Sequence, residues 1–122
     1  MINGAIILES LSEDARIGDM GLVVRELYRF RPDVTALGLP AVWSVVEFEG
    51  PESCAEQLAE ALAATLNDQH GWYVEFRSQT DTFIVFRGKH FRYPRGDEQG
   101  RAEAVQYGRT VGVPEPQLDW PA

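Results

Sequence analysis

One cysteine, Cys54, and two histidines, His70 and His90, are too few for an internal disulfide or for a zinc site built from cysteine and histidine. The fold must therefore rest on packing. No run approaches the roughly 18 uninterrupted apolar residues that span a bilayer. Cations are scarce as well: 11 lysines and arginines face 19 acids, a net charge of −8. That balance disfavours nucleic-acid and anionic-membrane partners, because phosphate binding is driven by clustered cations that displace counterions. The first residues, Met1-Ile2-Asn3-Gly4, lack the basic stretch that precedes a secretory apolar core, which itself would be only Ala5 to Leu8. These absences predict a cytoplasmic protein. A serine-nucleophile elbow, a phosphate-binding glycine loop and a dinucleotide fingerprint are all missing, so no catalytic residue and no cofactor is assigned.

What is present is a chain of 122 residues with 44% apolar content, enough for one domain covering residues 1–122. Its acidity is uneven. Residues 1–70 carry twelve acids and four bases, whereas residues 71–122 carry seven of each. Within the neutral part Arg87, Lys89, His90, Arg92 and Arg95 form the one basic cluster, interleaved with Phe91 and Tyr93.

Apolar Ala5 to Leu11 reads as a first strand, and the polar stretch from Ser12 to Gly21 as a loop. Leu22 to Arg31 alternates, with Leu22, Val24, Glu26, Tyr28 and Phe30 on one side. Pro32 ends that strand, and a connecting loop runs to Pro40. Ala41 to Glu49 is a third strand with Trp43, Val45, Glu47 and Glu49 on one side. Ser53 and Glu56 have capping-box spacing, and Ala55, Leu58, Leu62 and Leu66 recur with helical period. Trp72 to Arg77 and Thr82 to Arg87 should pair as a hairpin about Ser78-Gln79-Thr80-Asp81. A second turn at Gly88-Lys89 then brings His90 to Tyr93 alongside, with Phe91 near Phe86. Asp97 caps a second helix that ends at Gly112; Gly100 and Gly108 weaken it by about 1 kcal/mol each but admit a close neighbour. The tail, residues 114–122, contains three prolines and should fold back onto the domain through Leu118 and Trp120.

This order predicts an α+β domain: an antiparallel or mixed sheet of five to six strands with two helices on one face, and a ferredoxin-like arrangement in part. The stretches Phe91-Arg92-Tyr93-Pro94-Arg95-Gly96-Asp97 and Gly112-Val113-Pro114-Glu115-Pro116-Gln117-Leu118-Asp119-Trp120 resemble the ends of a group of short, uncharacterised bacterial proteins. The resemblance implies no activity, and no functional residue is carried over from it.

Each candidate site has a plain structural counterpart. Cys54 at a helix start could be a lowered-pKa thiol, yet neither histidine is linked to it by sequence, so it reads as a small helix-start residue. Asp68 with His70, or Glu47, Glu49 and Glu75, could hold magnesium or calcium. A solvated face of acids and arginines gives the same pattern, and no metal is assigned. The cluster Arg87, Lys89, His90, Arg92 and Arg95 beside a helix start could take an anion or an acidic partner segment, although Asp97 would occupy the same amides. Finally, Phe83, Ile84, Val85 and Phe86 in succession cannot all face helices on one side. Either the sheet is covered on both faces, under the long loops and the Trp120 tail, or its second face meets another molecule, a different protein or a second copy of the chain, at Trp43, Phe83 and Val85. The leading expectation is a non-enzymatic protein-interaction or regulatory domain. The alternative is a protein that binds or transforms an anionic metabolite near Arg92 and Arg95.

Overall fold

The computed structural model describes residues 1–33 and 38–122. Six strands, β1 (Ile2–Ile7), β2 (Val23–Phe30), β3 (Trp43–Gly50), β4 (Tyr73–Arg77), β5 (Asp81–Phe86) and β6 (Lys89–Pro94), form one open sheet in the order β2-β3-β1-β4-β5-β6. Every pair is antiparallel. Helix α1 (Ala55–Thr65) connects β3 to β4, and α2 (Glu98–Thr110) follows β6. The α+β class and the antiparallel sheet agree with the sequence reading. The loop expected between Pro32 and Pro40 lies partly, at 34–37, outside the described residues.

The helices do not share a face. Leu58, Ala59 and Leu62 of α1 pack with Val74, Phe76, Phe83 and Val85. Ala104 and Val105 of α2 pack with Ile84, Phe86 and Tyr93. Successive strand residues point to opposite faces, so the run Phe83-Ile84-Val85-Phe86, at most 1% exposed at any position, demands a cover on each side. The expectation of two helices on one face is corrected accordingly. The unit β3-α1-β4 is a split β-α-β with β1 between its strands, the ferredoxin-like element that was expected. Beyond β4 the chain runs outward through β5 and β6 rather than back into the sheet.

Local details follow from pairing. β1 begins at Ile2, earlier than its composition suggests, because it is bonded on both sides, to β3 and β4. Gly4 sits directly against Phe76; a β-carbon there would lie 2.5 Å from the Cβ of Phe76. Gly100 and Gly108 admit close neighbours as anticipated, Tyr93 against the first and Leu118 and Trp120 against the second. The second hairpin turn is Arg87-Gly88, one residue earlier than expected, since Phe86 pairs with Lys89; the rings of Phe86 and Phe91 meet at 6.0 Å.

The capping box is not made. A 3₁₀ turn at Glu52–Cys54 precedes α1, Cys54 is the cap residue, and no side chain bonds the free amides. Glu56 turns instead to Arg92 and His90 on β6. Asp97 does cap α2, its Oδ1 accepting from the amides of Gln99 and Gly100 at 3.1 and 3.2 Å. The tail folds back as anticipated. Arg101 donates to the carbonyls of Trp120 (2.6 Å) and Leu118 (3.2 Å), and Tyr73 donates to that of Gln117 (2.6 Å). Burial pushes the Tyr73 hydroxyl well above its ordinary range, keeping it a donor.

Gly4→Ala should destabilise the protein by about 1–3 kcal/mol, since neither β1 nor β4 can retreat without breaking sheet bonds. A urea midpoint equal to that of the wild-type protein would contradict this packing.

Candidate interaction site

The coverage of the sheet is lopsided. Helix α1 packs against β5 and β6, α2 and the tail lie on the opposite face over β4 to β6, and β2 at the far edge has neither. All eight of its residues are exposed, among them Val23, Val24, Leu27, Tyr28 and Phe30, with Val24 at 61% and Leu27 at 63%. A β-bulge between Val24 and Glu26 breaks the strict alternation read from the sequence. Val24, Leu27 and Arg29 consequently share the α1 side, opposite Phe48, Val46 and Ser44, while Glu26, Tyr28 and Phe30 share the α2 side, opposite Glu47, Val45 and Trp43. One row of β2 backbone donors and acceptors is bonded to β3; the other faces outward with no strand beside it among the described residues.

Two arginines that could guard this edge are tied to its neighbour. Arg25 reaches Glu49 at 3.0 Å, and Arg29 donates to the Ser44 hydroxyl at 3.2 Å. The other sheet edge is different: β6 carries Lys89, Arg92 and a terminal Pro94, residues that blunt strand addition.

Beside β2, on the α2 side, lies a groove of about 330 Å³. Tyr28, Phe30, Trp43 and Tyr73 are among its walls, Ala5, Ile7 and Val45 form its floor, and Glu75 and Asp119 stand at its far side. Burial pushes the Glu75 carboxyl up, against the pull of nearby Arg77. Further along the same face Glu26 and Glu47 are directly paired across the strands. The facing Glu26 carboxyl pushes Glu47 up. On the α1 side, a mostly apolar cavity of about 580 Å³ opens under the 11–22 loop, lined by Ile6, Leu11, Met20, Val24, Val46 and Phe48 among others.

The basic cluster does not converge. Arg92 donates to Asp81 and Glu56, both at 2.7 Å, and His90 lies 3.2 Å from Glu56 on the α1 side. The guanidinium beside it holds the Glu56 carboxyl below the usual range. Arg87 donates to the Leu66 carbonyl at 2.6 Å, closing the end of α1. Lys89 faces the other way, its ammonium 5.1 Å from the centre of the Phe91 ring. Arg95 is exposed in the turn before α2, and its backbone amide bonds the Thr80 carbonyl. Arg87 and Arg92 are engaged within the fold and Arg95 stands apart from them in the turn, so the anion pocket expected at Arg92 and Arg95 is not assembled. Sequence could not show this, because Glu56 is 36 residues from Arg92.

Two expected interface residues are also displaced. Phe83 and Val85 are 0% exposed beneath α1, so neither can reach a partner in this fold. Trp43 is buried too, its indole donating to the Pro40 carbonyl at 3.0 Å, and it contributes only to the groove wall. Burial raises the Cys54 thiol, the reverse of what a nucleophile needs. Glu75 is separated from Glu47 and Glu49 by β1, and no group of three metal-ligating side chains converges among the described residues. No helix among the described residues is long and apolar enough to cross a membrane. The exposed β2 was missed by sequence reasoning, although Arg25, Arg29 and Arg31 in an otherwise apolar strand are the signature of an edge.

No family model matches the chain, and no curated protein or solved structure matches it.

The Glu56–Arg92 pair has a pH signature. Its carboxyl is depressed in the fold, so its contribution is complete above the unfolded-state pKa and lost as pH falls through the folded value. With both side chains about half exposed, Glu56→Gln should cost at most about 1 kcal/mol at neutral pH. Urea denaturation should show that gap closing in acid; a gap independent of pH would contradict the pairing.

Proposed function

We propose that this chain is a non-enzymatic protein-interaction or regulatory domain that receives an extended segment of its partner along β2. The observation that carries the reading is the exposure of every residue of an eight-residue, largely apolar edge strand. An unpaired strand edge offers main-chain hydrogen bonds to an incoming segment, and its flanking side chains supply selectivity. Five large apolar side chains stand open here. They flank the unpaired edge on both faces of the sheet, Val24 and Leu27 on one and Tyr28 and Phe30 on the other. The same surface serves a different protein or a second copy of the chain, whereas the residues once expected to meet the partner, Phe83 and Val85, stabilise the core.

The reading requires no catalytic group. Cys54 is enclosed, and Arg92 of β6 is engaged with Glu56 and Asp81.

Leu27→Lys tests the reading directly. The side chain is largely in solvent, so its replacement should alter stability by no more than about 0.5 kcal/mol. Complex formation should fall at least tenfold, whether with a partner recovered by affinity capture or with a second copy followed by sedimentation. Hydrogen exchange at β2 amides should slow in the wild-type complex. Unchanged exchange at β2 in every complex obtained would overturn the proposal.

A further inference from the structure

The charge of the uncovered face says what kind of segment fits β2. On the α2 side, between β2 and the tail, stand Glu26, Glu47, Glu49, Glu75 and Asp119, against two cations, Arg25 and Arg77. Each of those cations already has a carboxylate: Arg25 has Glu49 at 3.0 Å, and Arg77 has Glu75 at 3.4 Å. Glu26 and Glu47 are left facing each other across the strand pair, carboxyl to carboxyl. Two positions along β2 from Glu26, on the same side, Tyr28 opens the groove whose walls include Phe30, Trp43 and Tyr73. Aromatic faces with carboxylates at the far end attract cations through ring quadrupole and charge together.

Resting on the reading of β2 as a docking edge, we propose that the incoming segment is basic: an extended peptide with arginine or lysine at alternate positions, laid antiparallel or parallel to β2. Alternate residues of an added strand fall on one face about 7 Å apart. One cationic side chain then reaches the Glu26 and Glu47 carboxyls, and the next crosses Tyr28 into the aromatic groove. The guanidinium or ammonium stands between the two facing carboxylates and offsets their mutual repulsion. Arg25, bound to Glu49, is the one charged group of the β2 bulge near that pair; β1 presents only Asn3 and Ala5 to it. A second copy of the chain fits this face less well, since β2 itself carries a glutamate where a cation is wanted.

The experiment measures binding of three synthetic eight-residue peptides to the full chain by calorimetry. In all three valine alternates with a variable position, held as arginine, glutamine or glutamate. The arginine peptide should bind, the glutamine peptide at least tenfold more weakly, and the glutamate peptide not detectably. Glu26→Gln with Glu47→Gln should weaken the arginine peptide about tenfold. Glu60→Gln with Glu103→Gln, which removes the same charge from exposed helix positions, should leave it within about twofold. Affinity should fall as pH is lowered through the titration of Glu47, and Leu27→Lys should abolish it. Equal binding of all three peptides, still lost in Leu27→Lys, would overturn the basic segment and leave the β2 edge standing. Charge-dependent binding indifferent to Leu27→Lys, or equally weakened by the Glu60 and Glu103 pair, would overturn it as non-specific attraction. Failure of every peptide, with a dimer in sedimentation, would make a second copy the occupant and overturn it likewise.

Discussion

The double-sided burial of β5 is the constraint from which the rest of the architecture follows. Phe83 and Val85 point to one face, Ile84 and Phe86 to the other, and all four are removed from water. Enclosing four such side chains is worth roughly 2 kcal/mol each, and a single helical layer can supply only half of it. The chain answers by sending α1 over one face from the β3 end and α2 over the other after β6. The Trp120 tail extends the second cover across β4, where its ring meets Tyr73 at 4.8 Å.

Two helices of 11 and 13 residues cannot cover both faces of six strands. Since both are drawn to β5 and its neighbours, the shortage falls on β2 and β3. On the α1 side the 11–22 loop partly compensates, placing Leu11, Ile17, Met20 and Leu22 against the core. On the α2 side nothing among the described residues lies over Tyr28 and Phe30. The open edge is thus the consequence of concentrating cover where the aromatic content is greatest.

Charge follows the same division. Three arginines of the second half join elements: Arg92 binds α1 to the sheet through Glu56, Arg87 closes the end of α1, and Arg101 of α2 holds the tail. The acids of β2 and β3 have fewer partners of opposite sign, and Glu26 and Glu47 settle for each other. In a protein of net charge −8, two carboxylates with no cationic partner thus stand beside the unpaired strand, which couples the two properties a partner would recognise.

Periodicity and punctuation in the sequence determined the class, the strands and helices to within a few residues, the Asp97 cap, the close approach at Gly100 and Gly108, and the return of the tail. These are local or nearly local effects, set by alternation, helical spacing and backbone freedom. The sequence also posed the question that Phe83 to Phe86 raise, whether their second face is covered by the chain or by a partner. Only the tertiary structure decided it, because the answer depends on which side of the sheet each crossover takes. The same holds for the candidate site. Glu56 abandons its capping amide for Arg92, and the bulge at Arg25 turns Val24 away from Glu26, through pairings that join distant segments. A side chain's availability to a partner is what remains after such long-range contacts are made, and no local pattern records that remainder.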